Sequence, residues 1–544
     1  EVCGGHEKCS RCRVLHKRGQ WRSPVTMARQ VESSGTIAWI DRKAFFTAGD
    51  GALKVPMSMH RDNRGRLVKR LQESGDIPDG AVIVLQGGEQ VNVYDQDTEW
   101  DYKQESNFQY LFGVKEPGCW GAIRISDGYA VLFVPALPES FAAWMGPIQP
   151  PAWFQRAYEV DEVHVMDDEL TVASCVRQDL KASDVIFPVG TNRDSGLPAK
   201  RPAFVGLDDV SMPEAACAAL YVALAEARVI KSADELKVLQ FVNDVSSLAH
   251  VEVMQSTRPG VREYIAAAEF QHKAFIRGCW RTGYSCICAS GARNTYLHYG
   301  HPGNPNAETV ERGTLTLRDM GGEYHGYTSD ITCTYPVDGT FTEDQRAVYE
   351  AVWAAVLAVE MTIRPGICYK DMHRLAQRTM LVELQKAGLF TGDVDDMMTV
   401  NLMHHFMFHG LGHSLGLDVH DVGGYEPGVN RKDDASIEEN LRLGRVLQEH
   451  MVLTVEPGFY FTPFLIEQAL SDPGKACFIN QEKLKSLRGV GGVRIEDDVV
   501  ITSKGCRVLT NVPRTVADIE AVMAGQPWPV SDCTKREYID GSLI

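Results

Sequence analysis

From about residue 47 onward, apolar and polar positions alternate between two rhythms. Short unbroken apolar runs, Ala81–Leu85 (AVIVL), Tyr129–Val134 (YAVLFV), Asp184–Val189 and Ala203–Leu207, read as strands buried on both faces. Between them lie stretches with apolar residues at helical spacing, such as Arg64–Glu73. This alternation predicts an α/β domain built on a mostly mixed sheet. Ser211–Glu214 (SMPE) opens a helix, with proline suited to the first turn. Ser232-Ala-Asp-Glu235 has the form of a capping box and opens a long amphipathic helix to about Met254. The boundary is expected between these two helices, near Ile230. That gives an N-terminal α/β domain over 47–229 and a second domain over 230–544.

In the second domain the pattern predicts a helix over 261–277 and strands at Tyr284–Ala289 and Thr314–Met320. A second capping box, Thr342-Glu-Asp-Gln345, starts a helix to about Met361. Asp371–Ala387 is the next helix, closed by Gly388. Strands follow at Met451–Val455 and Arg494–Ile501, then a final helix over Thr515–Met523. No repeat or low-complexity tract interrupts the series.

Composition narrows the class. With 44% hydrophobic and 23% charged residues over 544 positions, the chain is an ordinary globular protein with ample core. A formal net charge of -17 argues against a nucleic-acid partner, because phosphate binding draws on clustered Lys and Arg. No apolar run reaches the roughly 20 residues that span a bilayer, so no membrane partner is expected. Fourteen cysteines, scattered without a small-domain framework, point to reduced thiols and a cytoplasmic setting. Residues 1–46 read differently, with nine Lys or Arg against four acids and a cluster of Cys3, His6, Cys9, Cys12 and His16. The CxxC spacing of Cys9 and Cys12 could begin a zinc site, and a basic, acid-poor leader could be a transit peptide. Without a second ligand pair or an apolar segment, the expectation is a disordered or non-native extension, with Met27 or Met57 as alternative starts.

The candidate chemistry centres on Asn401–Asp421, NLMHHFMFHGLGHSLGLDVHD, where His405, His409, His413 and His420 stand among apolar residues. Gly410, Gly412 and Gly416 allow close backbone approach, so the imidazoles can be aimed into one cleft. Histidines in such surroundings also serve as core residues, and it is the carboxylates elsewhere that tip the balance. Asp319 and Asp330 flank a glycine turn in RDMGGEYHGYTSD, Glu456 follows the apolar strand MVLTV, and Glu496 lies in GGVRIEDDVV. Each alone would pass for a surface or capping residue. Four carboxylates set in apolar strands are costly unless paired or coordinated, and together they ask for cations. Two Asp, two Glu and one His form an oxygen-rich set that suits Mn2+ or Mg2+ better than Zn2+. A metal pair about 3.5–4 Å apart brings a bridging water towards neutral acidity and polarises a carbonyl, so the implied chemistry is hydrolysis. The acidic neighbours Asp95, Asp97, Glu99 and Asp101 read as a solvated turn.

The order Asp319, Asp330, His413, Glu456, Glu496 resembles the pita-bread metallopeptidases. The motifs LKVPM, VIVLQGG, FGVKEPG, LFVPALP and WMG in the first half are similar to those of the dipeptidase branch, the prolidases. So are YSCICASG, LHYGH, DMGGEY, SDITC, HGLGHSLGLDVHDVGGY, VLTVEPG and GGVRIEDDVV in the second. The resemblance implies an α/β N-terminal domain and an α+β pita-bread catalytic domain with pseudo-two-fold symmetry, usually as a homodimer. It implies two Mn2+ per subunit, with His413 and Glu456 on one, Asp319 on the other, and Asp330 and Glu496 bridging. Glu456 would also shuttle the proton of the attacking, metal-bridging hydroxide. His298, His409 and His420 would line the substrate cleft and stabilise the tetrahedral intermediate, with Arg494 near the metals. Arg442 would bind the substrate's terminal carboxylate and Tyr284 would stand at the metal site. His301, His404 and His405 are read as structural.

The activity implied is hydrolysis of dipeptides with a C-terminal proline. Cleavage of longer peptides, as by aminopeptidase P, is the alternative that the metal ligands cannot separate. A non-catalytic binding member of the family is the remote third, set against the presence of all five ligand types. One departure stands out: Arg318 occupies the position before the first metal aspartate, where the family is apolar. Strand neighbours point to opposite faces, so a cation is expected in the core behind the metals.

Overall fold

The apolar runs become strands whose successive side chains feed two different cores. The computed structural model describes residues 44–168, 170–429, 440–529, 536–539 and 542–543. The N-terminal sheet has the order Glu162–Met166, Ala130–Pro135, Trp120–Arg124, Ala81–Gln86, Asp184–Ile186. Its two inner pairings are antiparallel and its two outer ones parallel, a mixed sheet as expected. Ile83 and Leu85 pack with Leu67 and Leu71 of the helix Ser58–Ser74, whereas Val82 and Val84 pack with Val172 and Val176 on the other face. Burial on both faces is why AVIVL is apolar throughout.

Ala203–Leu207, expected as a strand, is not one. Pro202 has no N–H to give a ladder, and Gly206 turns the chain at φ 74°. Phe204 is apolar because it packs beside Trp120 and Phe187, and not because it pairs. Residues 1–43, with Cys3, His6, Cys9, Cys12, His16 and Met27, lie outside the described residues. The expected extension over 1–46 is too long, because Phe45–Phe46 pairs with Val55–Pro56 and Phe46 is buried, stacked on His325.

In the second half both capping boxes form, at Ser232/Glu235 and Thr342/Gln345, opening the helices Ala233–Ser256 and Glu343–Glu360. The helix Tyr369–Lys386 packs on the latter and ends before Gly388, at φ 83°. Ile287–Ser290, Leu315–Asp319 and Thr332–Pro336 form one antiparallel sheet, the first strand beginning later than expected at Tyr284. Arg494–Ile501, expected as one strand, is two. Gly492–Arg494 pairs with Gly458–Tyr460, and Asp497–Ile501 pairs with Val452–Val455. The two interruptions, Glu456-Pro457 and Ile495-Glu496, stand opposite one another across the ladder. No helix among the described residues is long and apolar enough to cross a membrane.

Candidate metal centre

Each carboxylate of the candidate set sits where a strand stops or breaks, so its side chain leaves the ladder and faces a common space. Asp319 ends Leu315–Asp319, and Asp330 precedes Thr332–Pro336. Between them a small hairpin, Gly322–Tyr324 with Tyr327–Thr328, carries the chain out and back. Glu456 and Glu496 occupy the two facing interruptions. His413 arrives on a segment without regular structure that runs along Val452–Val455, with Thr454 N donating to His413 O (3.0 Å) and Glu456 N to Leu411 O (2.8 Å). Only glycine fits at 412, since a Cβ there would overlap the Thr454 carbonyl oxygen.

The side chains converge. His413 Nε2 lies 3.3 Å from Asp330 Oδ2 and 3.6 Å from Glu456 Oε1. Its Nδ1 stands 3.1 Å from the Ser414 carbonyl. That carbonyl can only accept, which puts the proton on Nδ1 and leaves the Nε2 lone pair towards the carboxylates, as metal ligation needs. Ligand atoms of Asp330, His413 and Glu496 lie within 4.8 Å of one another, all three residues being buried. Asp319 takes hydrogen bonds from Tyr284 OH (2.6 Å) and Arg494 Nη2 (2.5 Å). Thr332 OH donates to Glu496 Oε2 at 2.7 Å.

Electrostatics test whether cations fit. Burial, then the neighbouring Asp319, pushes Asp330 well above the usual carboxylate range, and burial followed by Asp330 and Glu456 does the same for Glu496. Burial raises Glu456 to about 7, opposed by His413 and Arg494. Left to themselves these acids would keep protons to avoid facing one another. Divalent cations in place of those protons would let them ionise, so the donor set fits hard or borderline divalent cations.

Of the remaining expected residues, Tyr284, His298, His409, His420, Arg442 and Arg494 all line one cleft of about 580 Å³ with the five candidate carboxylate and imidazole ligands. His420 stacks edge-on against His413, ring centroids 4.5 Å apart. Burial, then His413 and Arg442, holds it far below its ordinary pKa, so it is neutral. His409 Nε2 meets Tyr460 OH at 3.0 Å, and Arg494 donates to the same hydroxyl at 3.1 Å. His405 is buried elsewhere, bonded to Leu465 O and Lys475. His301, set aside as structural, lies on the cleft wall.

Four further residues carry no sequence signal for the site. Tyr460 and Thr332 tie Arg494, His409 and Glu496 together. Asp498 accepts from Asp330 N at 2.9 Å behind the centre. Asp194, from the N-terminal half, pairs with Arg442 Nη1 at 3.2 Å on the cleft wall. The partners of Arg442 and Asp330 come together only on folding.

The profile of metallopeptidase family M24 matches residues 237–503, and that of the aminopeptidase P N-terminal domain matches residues 60–187. An Xaa-Pro dipeptidase of Mus musculus is 47% identical over 481 residues, 88% of this chain and 96% of the mouse protein. A probable Xaa-Pro aminopeptidase of Talaromyces stipitatus is 31% identical over 481 residues, 88% of this chain and 99% of the fungal one. Among solved structures, proline aminopeptidase P II from Yersinia pestis matches with a TM-score of 0.69 at 28% identity, covering 86% of this chain and 100% of that one.

Proposed function

The chain belongs to metallopeptidase family M24, and from this premise we propose that its cleft hydrolyses Xaa-Pro dipeptides. The observation that carries the reading is the 47% identity, over nearly the full length of both chains, to an Xaa-Pro dipeptidase, against 31% to an aminopeptidase. The site residues take the following roles in this reading. His413, Glu456, Asp319, Asp330 and Glu496 hold two divalent ions, Mn2+ by preference for an oxygen-rich set. Those ions would supply Lewis acidity and an activated water at neutral pH. Glu456, whose burial brings it to about 7, accepts and returns the proton that moves during attack and leaving. Neutral His420, with His298, donates N–H to the oxygen on which charge develops, while His409, its Nδ1 proton held by the Gly410 carbonyl and its Nε2 accepting from Tyr460, shapes the cleft beside them. Arg494 spans Asp319, Thr332 and Tyr460 and so fixes the ligand carboxylate and the His409 ring together. Tyr284 fixes the other oxygen of Asp319. Arg442, on the same wall, takes the terminal carboxylate of the dipeptide.

An Xaa-Pro bond has no amide N–H for an ordinary peptidase to engage, and this site needs none. We further set the domain boundary near Ile230, and read the working form as a cytoplasmic homodimer. The first is supported by the two separate profiles, and the cytoplasmic setting by the ten free cysteines among the described residues. The homodimer is carried over from the family.

The test is hydrolysis of Gly-Pro against Gly-Pro-Xaa tripeptides with Mn2+ present. Gly-Pro should turn over, chelation should abolish it, and Mn2+ should restore it. Turnover of the tripeptide in preference would return the reading to an aminopeptidase. Full activity in rigorously metal-free protein would remove the metal mechanism.

A further inference from the structure

A second group of ligating side chains stands in the N-terminal domain, on none of the cleft walls. A nitrogen of His164, the Cys175 thiol and an oxygen of Asp179 lie within 4.8 Å of one another. His164 belongs to the edge strand Glu162–Met166, and Glu162, two residues earlier, shares its face. Glu162 Oε1 is 3.2 Å from His164 Nε2. Cys175 and Asp179 come from a helix that begins as α at Thr171–Ser174 and ends in a π turn over Cys175–Asp179. Such turns recur at functional sites. His164 Nε2 is shielded from water yet makes no hydrogen bond, in spite of the nearby carboxylate. A buried nitrogen that makes no hydrogen bond beside a carboxylate 3.2 Å away is what a cation would resolve. Burial, then Asp179 and Glu162, pushes the Cys175 thiol up to about 12, so in a metal-free chain a proton occupies that place.

We propose that His164, Cys175 and Asp179, with Glu162 as fourth donor, bind a structural zinc ion. Nitrogen, thiolate and carboxylate ligands at about 2.0–2.3 Å define a tetrahedral zinc site whose donors lie roughly 3.5 Å apart. Asp179 is exposed and Glu162 keeps 40% of its side chain in solvent, so both can turn inward. Binding replaces the thiol proton, which is released to water, by a Zn–S bond. The site would clip the edge strand to the helix that covers the sheet's face. Its thiolate separates it chemically from the cleft, whose ligands are oxygen and imidazole alone.

Cobalt reads the difference. The full chain, freed of metal by chelation and reloaded with Co2+, should show a thiolate-to-cobalt charge-transfer band in the near ultraviolet, saturating at about one equivalent. The cleft cannot produce that band. Added Zn2+ should displace it. C175S and H164A should each lose it while hydrolysing Gly-Pro like the wild type, and D179N should weaken it. If C175S does not fold, H164A and D179N carry the same readout. No band in the wild type, or a band that persists undiminished in C175S or H164A, overturns the site whether or not the peptidase reading stands.

Discussion

At the scale of single residues, two arginines make opposite demands. Arg442 keeps 32% of its side chain exposed and is paired with Asp194 at 3.2 Å, so in the proposed role a dipeptide carboxylate would share or replace that partner. Guanidinium takes a carboxylate in a planar fork that lysine cannot copy. Losing one partner of such a pair costs about 2–5 kcal/mol, and the partial exposure places this case towards the low end. R442A should therefore lower kcat/KM for Gly-Pro by about 30-fold to a few hundredfold, with metal content unchanged and R442K only partly restored. Turnover of an amidated substrate should be spared. Wild-type turnover of Gly-Pro by R442A would show the clamp to be elsewhere.

Arg318 makes the other demand. It is 1% exposed, on the strand face opposite Asp319 and between Cys288 and Cys333 in register. One nitrogen donates to Ala289 O at 3.3 Å and the guanidinium also engages the Cys288 thiol and the Tyr335 hydroxyl, while Nε has no partner. Leaving a buried donor unsatisfied costs about 1–3 kcal/mol. R318M, which keeps the length and removes the charge, should raise stability by about that amount. Thermal melts at matched metal loading check it. A lower melting temperature would mean that the guanidinium is better paired than its visible contacts suggest.

At the scale of elements, the hairpin between Asp319 and Asp330 couples the two halves of the chain. Its tip is the two-residue turn His325-Gly326, with φ of 51° and 87°, the left-handed pair that suits a tight hairpin. The tip docks on the N-terminal half. Gln109 donates to His325 O (3.0 Å), Tyr324 OH to Leu53 O (2.5 Å), and His60 Nε2 meets His325 Nε2 at 2.8 Å. His60 Nδ1 faces the Tyr110 carbonyl at 3.1 Å and must carry its proton. Its Nε2 therefore accepts from His325, and a second proton on His60 would set two N–H groups face to face. Burial accordingly lowers His60 from 6.5 to about 4.

The sign follows from proton uptake. As pH falls below 6.5 the unfolded chain protonates this histidine while the folded one does not until about 4. The contribution is present above pH 6.5 and is lost across that window, to the extent of about 3 kcal/mol. Comparing H60Q with wild type in chelated protein isolates it from any bound metal. The melting temperature of H60Q should fall less steeply between pH 6.5 and pH 4. Parallel curves would clear the pair of this role.

At the scale of the whole molecule, the composition of residues 1–43 and the packing of Phe46 predict a sharp difference between two truncations. Removing residues 1–43 should leave melting temperature and turnover nearly unchanged, since nine basic residues against four acids set this stretch apart from the folded body in composition. Removing residues 1–46 takes away Phe46, buried against His325 and lying 3.7 Å below the Lys115 ammonium. That should cost about 3–5 kcal/mol, the loss of a buried phenylalanine. Because His325 tips the hairpin between Asp319 and Asp330, metal affinity should weaken with it in the proposed reading. Equal behaviour of the two truncations would place Phe46 outside the folded core.

The sequence by itself determined what depends on local pattern. Both capping boxes formed where Ser232 and Thr342 stand three residues before Glu235 and Gln345, because a cap is closed by neighbours in the chain. AVIVL became a strand because a run apolar on both faces has few other homes. Asp319, Asp330, Glu456 and Glu496 stood out because carboxylates in apolar strands are too costly to be incidental, and the fold brings them with His413 to one cleft. What only the tertiary structure decided depends on distant segments meeting. The Arg494–Ile501 run carried no mark of its break, which exists because Glu456-Pro457 interrupts the strand opposite. Asp194, Tyr460 and Asp498 read as ordinary loop, strand and strand residues until folding sets them beside Arg442, His409 and Asp330. Phe204 shows the converse, since apolar pattern records burial and not pairing, and only the fold tells the two apart.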